Sequence, residues 1–443
     1  MTRTVPPETP ARGARREAVI RETPMVVLDS TRGGGPMLES ALSRRRFVIT
    51  AGALLASLTA RRAWSQHPAI PAQVSGERWL PSSDLLRTLP RLLELAEVPG
   101  LALGVVQGGR IWSRGFGQAT ETPRTRVSVE TVFEGVSLGK PLFAYAVLRL
   151  VDAGRIDLDR PLYDYLPLPE AEHPRMRKVT ARHVLSHTTG LDNWRTQAGP
   201  LVPAFEPGTG FSYSGDAYFY LQRVVETLTD RPFARFMHDH VLAPLEMRDS
   251  SYVWLPRYAT RKAVGRDAAG VELDVVGAIG RRAEELATEW GKPVLEWRYE
   301  DAARAVPLIN PAWPVLPLYM IPSAAGSLLT TARDYSRFLL RLVARPPEPG
   351  LDLTEASRRA MVTPEVRLNR ALHWGLGWGI QRDENGEVLW HWGANNSFRN
   401  FVIVEPAAGR AVVAFTNGDG GPKVYERVLA AVTGRDHPAF LWL

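Results

Sequence analysis

In this 443-residue chain, text with the alternation and turn chemistry of β-strands stands towards both ends, and helical text fills the space between. Near the start, "LALGVVQGGRIWSRGFGQAT" (101–120) has two short apolar runs around "QGGR", which predicts a hairpin. In the last hundred residues, "HWGLGWGI", "VLWHWGANNS", "RNFVIVEP" and "RAVVAFTNGD" read as further strands separated by Gly and Asn. "SSDLLRTLPRLLELAEVPG" (82–100) predicts a helix with a Ser/Asp start and a Pro-Gly stop, and "SAAGSLLTTARDYSRFLLRLVA" (323–344) predicts another. Strands from the two ends bury their faces most simply in one sheet. The expected fold is therefore α+β: an antiparallel sheet formed from both chain ends, flanked by helices, with a mainly helical lobe at about 155–320 inserted in it. Residues 256–320, rich in Trp and Pro, read as a less regular insertion near the site. A cleft between sheet and lobe is a favoured place for a small-molecule site.

Charge narrows the choice of partners. The net charge is +7, but residues 1–66 carry 11 Arg and five acidic residues, leaving 43 basic and 42 acidic residues beyond them. The basic balance belongs to a leader, so nucleic-acid binding loses its support. Within it, "SRRRFVITAGALLASLTA" (43–60) has the paired Arg and moderately apolar run of a twin-arginine export signal. The run from Phe47 to Ala60 is shorter than the roughly 20 residues a membrane helix needs, which points to cleavage, near Ser65, rather than anchoring. Met37 is a candidate start. The expected organisation is a leader at 1–66, engaging twin-arginine export machinery, and a catalytic domain at 67–443 outside the cytoplasm. The chain has no Cys, which excludes disulfides, Cys–metal sites and a thiol nucleophile.

The chemistry-bearing stretch is "FEGVSLGKPLFAYAVLRLVDAG" (133–154). The chain has 49 Arg and five Lys, and one of the five stands at 140, three residues after Ser137. A guanidinium stays protonated at any ordinary pH, whereas an amine in a dry site gives up its proton. At i and i+3 on one helix face, Lys140 would activate the Ser137 hydroxyl; the alternative is a Lys on a helix flank. Tyr213, in "FSYSGDAYFYLQ", precedes a helix and would carry protons if nearby cations lowered its pKa; the alternative is a core tyrosine. His391, in "WHWGANNSFRNF", falls on an expected edge strand. Gly393 would let substrate lie against that strand, and the N–H of Ala394 would join that of Ser137 around an oxyanion. The alternative is a His packed between Trp390 and Trp392. "GVSLG" also reads as the nucleophile elbow of an α/β-hydrolase.

Taken in order, S-x-x-K, then Y-S-G 76 residues on, then H-x-G on a late strand, the chain resembles the serine β-lactamase and penicillin-binding-protein superfamily. "RHVLSHTTGL", the segment from "FEPGTGFSYSGD" to "HVLAPLEM", "SAAGSLLTTARDYSRFL" and "GLGWGI" extend the likeness over about residues 84–430, most weakly at 256–320. The resemblance implies a β-lactamase/transpeptidase-like fold and a cofactor-free, metal-free serine hydrolase that forms an acyl-enzyme on Ser137. It would cleave an ester or amide in a small molecule or peptide, with Lys140, Tyr213, His391 and Ala394 in the catalytic set. A non-catalytic muropeptide-binding module on the same scaffold is the alternative. The chain departs from the family pattern twice. Gly215 stands where an Asn contacts the acyl amide, which leans towards esterase-like relatives. His391 stands where a Lys anchors a substrate carboxylate, and Arg399 is the candidate replacement for that charge. His183 and His187 have the spacing of a helical metal pair, but no third ligand is evident.

Overall fold

The computed structural model describes residues 79–195, 199–311, 322–344 and 347–442. The leader, and with it the twin-arginine reading, lies outside the described residues. Among those described, no helix is long and apolar enough to cross a membrane.

The chain opens with α1 (Ser83–Leu95), whose N-cap Ser82 accepts from the Leu85 N–H at 3.1 Å. It continues into the hairpin of β1 (Gly100–Gln107) and β2 (Arg110–Thr120). Gly108 and Gly109, both at positive φ, make the two-residue turn that the pairing of Gln107 with Arg110 requires. Next come β3 (Thr125–Arg126), β4 (Phe133–Val136), α2 (Gly139–Asp152), α3 (Ala181–Leu185), α4 (Gly215–Thr229) and α5 (Phe233–Met237). The segment read as irregular holds two short strands, β5 (Gly265–Arg266) and β6 (Glu272–Leu273), then α6 (Val275–Trp290) and α7 (Tyr299–Ile309). It is therefore more helical than its sequence indicates. Asp274, at the N-cap of α6, pairs with Lys262 and Arg281 instead of capping the helix backbone. Then follow β7 (Leu328–Thr330), α8 (Ala332–Val343), α9 (Glu355–Val362), β8 (Val366–Arg367), β9 (Leu372–Trp374), β10 (Gly379–Asp383), β11 (Gly386–Ala394), β12 (Arg399–Glu405), β13 (Arg410–Thr416) and α10 (Gly421–Thr433).

Among the described residues the main sheet has nine strands in the order β3-β2-β1-β13-β12-β11-β10-β9-β8, every neighbouring pair antiparallel. The junction of the two chain ends is β1 against β13, from Leu101–Thr416 to Gln107–Arg410. Strand alternation splits the core. Leu101, Leu103, Phe401 and Ile403 face α1 and α10, while Ala102, Val402, Val404 and Val413 face α8 and the helical side. This antiparallel arrangement rules out the α/β-hydrolase elbow, which needs a parallel sheet.

β11 is an interior strand, not the expected edge. Its pairing with β10 stops at Trp390, however, while its pairing with β12 runs on to Ala394. From His391 to Ala394 one side of the strand is therefore not paired by β10. The small β4–β7 sheet brings the residues before Ser137 to this point.

Candidate active site

Ser137 lies one residue before the N-cap of α2, so it is not on the helix. The Lys140 N–H donates to the Ser137 carbonyl at 3.0 Å, and this turn brings the two side chains together as the helical spacing would. Val136 holds φ 50°, a left-handed conformation that costs a β-branched residue about 1–3 kcal/mol. That reversal sends β4 into the turn and leaves Ser137 partly exposed above a fully buried Lys140.

Lys140 Nζ is 3.1 Å from Ser137 Oγ and donates to the Ala325 carbonyl at 2.8 Å. Burial lowers the pKa of the amine far below that of a free lysine. A second buried lysine shows what a carboxylate would do. Burial also pulls Lys262 down, but Glu134 and Asp274, at 2.8 and 2.9 Å, outweigh it and hold Lys262 charged. Lys140 has no such partner among the groups that shift it. The amine donates to both the Ala325 carbonyl and Ser137 Oγ, and the Ser137 hydroxyl in turn donates to the Ala325 carbonyl at 3.4 Å, so the three groups form one small cluster.

The Ala325 carbonyl is itself held. Gln222 of α4 donates from Nε2 to the Pro322 carbonyl and accepts from the Ala324 N–H, both at 2.8 Å. Gln222→Leu strands two buried backbone groups. It should cost about 2–4 kcal/mol of stability and lower kcat by about ten- to a hundredfold with KM little changed. Urea midpoints and ester turnover measure the two; an unaltered kcat in the fully folded variant refutes the link.

Tyr213 packs its ring 4.7 Å from Lys140 Nζ. Burial pushes the phenol well up, and the neighbouring Ser137 hydroxyl pulls back only in part. The expected lowering by cations is thus reversed, because burial of the phenol outweighs the pull of its neighbour. Tyr213 is a neutral O–H donor at ordinary pH. Its oxygen makes no well-formed hydrogen bond among the described residues.

His391 is buried and neutral, its pKa lowered to about 3 by burial and then by the charge Lys140 would carry. Nδ1 is 2.8 Å from the Trp392 carbonyl. A carbonyl only accepts, so Nδ1 holds the hydrogen and Nε2 is a bare acceptor, buried without a donor among the described residues. His187 is the opposite tautomer. Its Nδ1 accepts from the Ser214 N–H at 3.0 Å, so Nε2 carries the hydrogen. Its ring stacks on Tyr213 with centroids 4.1 Å apart. His187 lies past the end of α3 at φ 56°, while His183 joins a capping box with Thr180. The two imidazoles do not pair as the spacing proposed.

Gly393 answers a different need from the one expected. A Cβ there would lie 2.2 Å from the Gly135 carbonyl oxygen, so the glycine lets β11 approach the backbone just before Ser137. Asn395 and Asn400 fasten that approach, donating to the Glu134 carboxylate at 2.8 Å and to the Glu134 carbonyl at 2.9 Å. Ala394 lies between Gly393 and Asn395, which make these contacts.

Arg399 is not available as a carboxylate anchor. It alternates with Phe401 and Ile403 onto the α10 face, opposite Gly393, and is ion-paired with Asp419. Gly215 opens α4, its N–H bonded to Asn193, and a Cβ there would collide with Trp194. Sequence reasoning singled out neither Trp194, Gln222 nor Ala325; no motif marks a carbonyl or a wall residue.

Beside Val136, a cavity of about 130 Å³ is lined by Tyr252, Trp254, Val276 and Asn395, so helix α6 forms part of its wall. A larger polar groove of about 780 Å³ at Arg231, Arg235 and Glu296 is lined by charged side chains, several ion-paired, and does not include Ser137.

A family model described as Beta-lactamase matches residues 87–434. The chain belongs to the β-lactamase family. Among relatives of this β-lactamase-family protein, "Penicillin-binding protein 4" of Amycolatopsis lactamdurans is 27% identical over 366 residues, 77% of this chain and 84% of that protein. A penicillin-binding protein homologue from Pyrococcus abyssi, described as octameric, superposes with a TM-score of 0.61 at 18% identity, over 80% of this chain and 77% of that one. The D-alanine carboxypeptidase AmpC of Burkholderia cenocepacia gives 0.61 at 19%, over 79% and 99%. At these identities the two structures establish the β-lactamase/transpeptidase fold.

Proposed function

We propose that this protein is a serine hydrolase that cleaves carboxylic esters through an acyl-enzyme on Ser137. The observation that carries the reading is a buried amine, without a carboxylate, 3.1 Å from a reachable serine hydroxyl. Lys140 takes the Ser137 proton as Oγ bonds to the carbonyl carbon. The N–H groups of Ser137 and Ala394 receive the oxyanion. Tyr213 gives its proton to the departing alkoxide and is reprotonated from Lys140; water then enters by the reverse relay and releases the acid. Among the described residues His391 Nε2 is an unpartnered acceptor, and its ring lies 6.2 Å from that of Tyr213, where it contributes to the polarity around the phenol.

Esters are favoured over β-lactams and D-amino-acid peptides, the chemistry named for the relatives, because among the described residues the site offers a substrate carboxylate no free cation. Burial works against charge on Lys140, the N–H of His391 is engaged by Trp392, and Arg399 is paired with Asp419 on the other face. Gly215 offers no amide to a substrate amide. Residues 43–60 are proposed to export the protein through twin-arginine machinery to the periplasm or medium; the N-terminal mass of the secreted form tests this.

The functional test is a fluorophosphonate label with peptide mapping, together with turnover of p-nitrophenyl esters, nitrocefin and a D-Ala-D-Ala peptide. The expected result is a label on the Ser137 peptide and kcat/KM for the ester at least a hundredfold above the other two. Absence of labelling together with tight muropeptide binding would identify a non-catalytic module instead.

A further inference from the structure

Gly215 and Trp194 are built for each other. A Cβ on Gly215 would lie 2.3, 2.5 and 2.6 Å from three carbons of the Trp194 six-membered ring. The loop that carries Trp194 is tied down on both sides of it. The Ser214 hydroxyl donates to the Asp192 carbonyl at 2.7 Å, and the N–H groups of Gly215 and Asp216 donate to the Asn193 carbonyl at 2.9 and 3.0 Å. The Arg195 N–H donates to Asp216 at 3.2 Å, and its guanidinium pairs with the same carboxylate at 3.1 Å. These contacts set the half-buried indole 5.9 Å from Lys140 Nζ, which also lies 4.7 and 5.5 Å from the rings of Tyr213 and Tyr218.

We propose that Trp194, seated on Gly215, is a specificity-determining wall that keeps water from Lys140 and admits only esters unbranched next to the reacting carbonyl. The substrate claim rests on the ester-hydrolase reading above; the shielding claim does not. The amine is faced by the Ser137 hydroxyl, the Ala325 carbonyl, the phenols of Tyr213 and Tyr218, and the neutral imidazoles of His187 and His391, none of them anionic at ordinary pH. With no counter-ion present, hydration is what would return the charge to Lys140, and Trp194 covers that approach.

The test has two independent readouts. With five lysines in the chain, ¹⁵N-lysine labelling resolves the Lys140 amine, and its titration needs no substrate. Trp194→Ala should raise that pKa by about one unit or more. It should also raise the kcat/KM ratio of p-nitrophenyl pivalate to p-nitrophenyl acetate at least tenfold. Gly215→Ala, which pushes the indole off its seat, should move both in the same direction, and Trp194→Phe should fall between. If neither the titration nor the ratio moves in Trp194→Ala, the proposal is overturned. If the titration moves while no ester is turned over by any form, the ester reading fails and the shielding role stands.

Discussion

Replacing Lys140 with Arg lowers kcat/KM for an activated ester by at least about a thousandfold, a loss of about 4 kcal/mol in transition-state stabilisation. Charge is retained in this variant, and that is the point of it. The wild-type pocket gives an amine a solvent-free environment, one carbonyl acceptor and no carboxylate. Such a pocket favours the neutral form, which alone has a lone pair for the Ser137 proton. A guanidinium cannot enter that state. Lys140→Met, neutral and of similar length, separates chemistry from folding: it should fold at least as well as wild type and lose a similar factor. Ser137→Ala sets the floor. Activity of Lys140→Arg within tenfold of wild type would show that a cation suffices at 140 and that the base lies elsewhere.

The architecture was legible because its signals are local. Turn glycines, alternating strands at both ends and the Ser82 cap each act within a few residues, and the pairing of the two ends follows from the need to bury sheet faces. That Ser137, Lys140 and Tyr213 come together was legible because a serine, a rare lysine and a tyrosine are distinctive by type and spacing. What misled was any property set by neighbours far along the chain. The fall expected for the Tyr213 pKa supposed nearby cations, whereas burial of the phenol raises it. The offer of Arg399 as an anchor ignored strand parity, which sends it to the α10 face with Asp419. Gly393 looked like room for substrate and is room for the Gly135 carbonyl. Gln222 and Trp194 act through loops about 100 and 20 residues from them in sequence, a relation that only the fold reveals.

Acidification should unfold the protein, by a net uptake that several buried groups decide. Burial lowers His391 to about 3, lowers His437 to about 4 and holds His187 well below its ordinary value. The unfolded chain protonates these three near 6.5 while the folded chain does not. Their contribution is therefore complete above pH 6.5 and falls by about 1.4 kcal/mol per group per pH unit below it. Two carboxyls act in the opposite sense. Burial raises Glu226 to about 7 and, despite Arg195 beside it, Asp216 to about 6. The folded state holds these two protons at pH values where the unfolded chain has released them, so between about pH 7 and 4 acid favours folding at both. Uptake on unfolding at the three imidazoles, and at Lys140, which burial also holds well below its ordinary value, exceeds release at the two carboxyls, so stability falls from pH 7 to pH 4. Urea midpoints across that range give the slope. Glu226→Gln removes an opposing proton and should steepen the loss. His437→Gln, on the α10 side away from Ser137, removes one of the three imidazoles and should flatten it while ester turnover persists. A stability that is level from pH 7 to 4, or a slope untouched by either substitution, would show that these buried groups reach water in the native state. It would also take away the dry environment on which the neutral lysine depends.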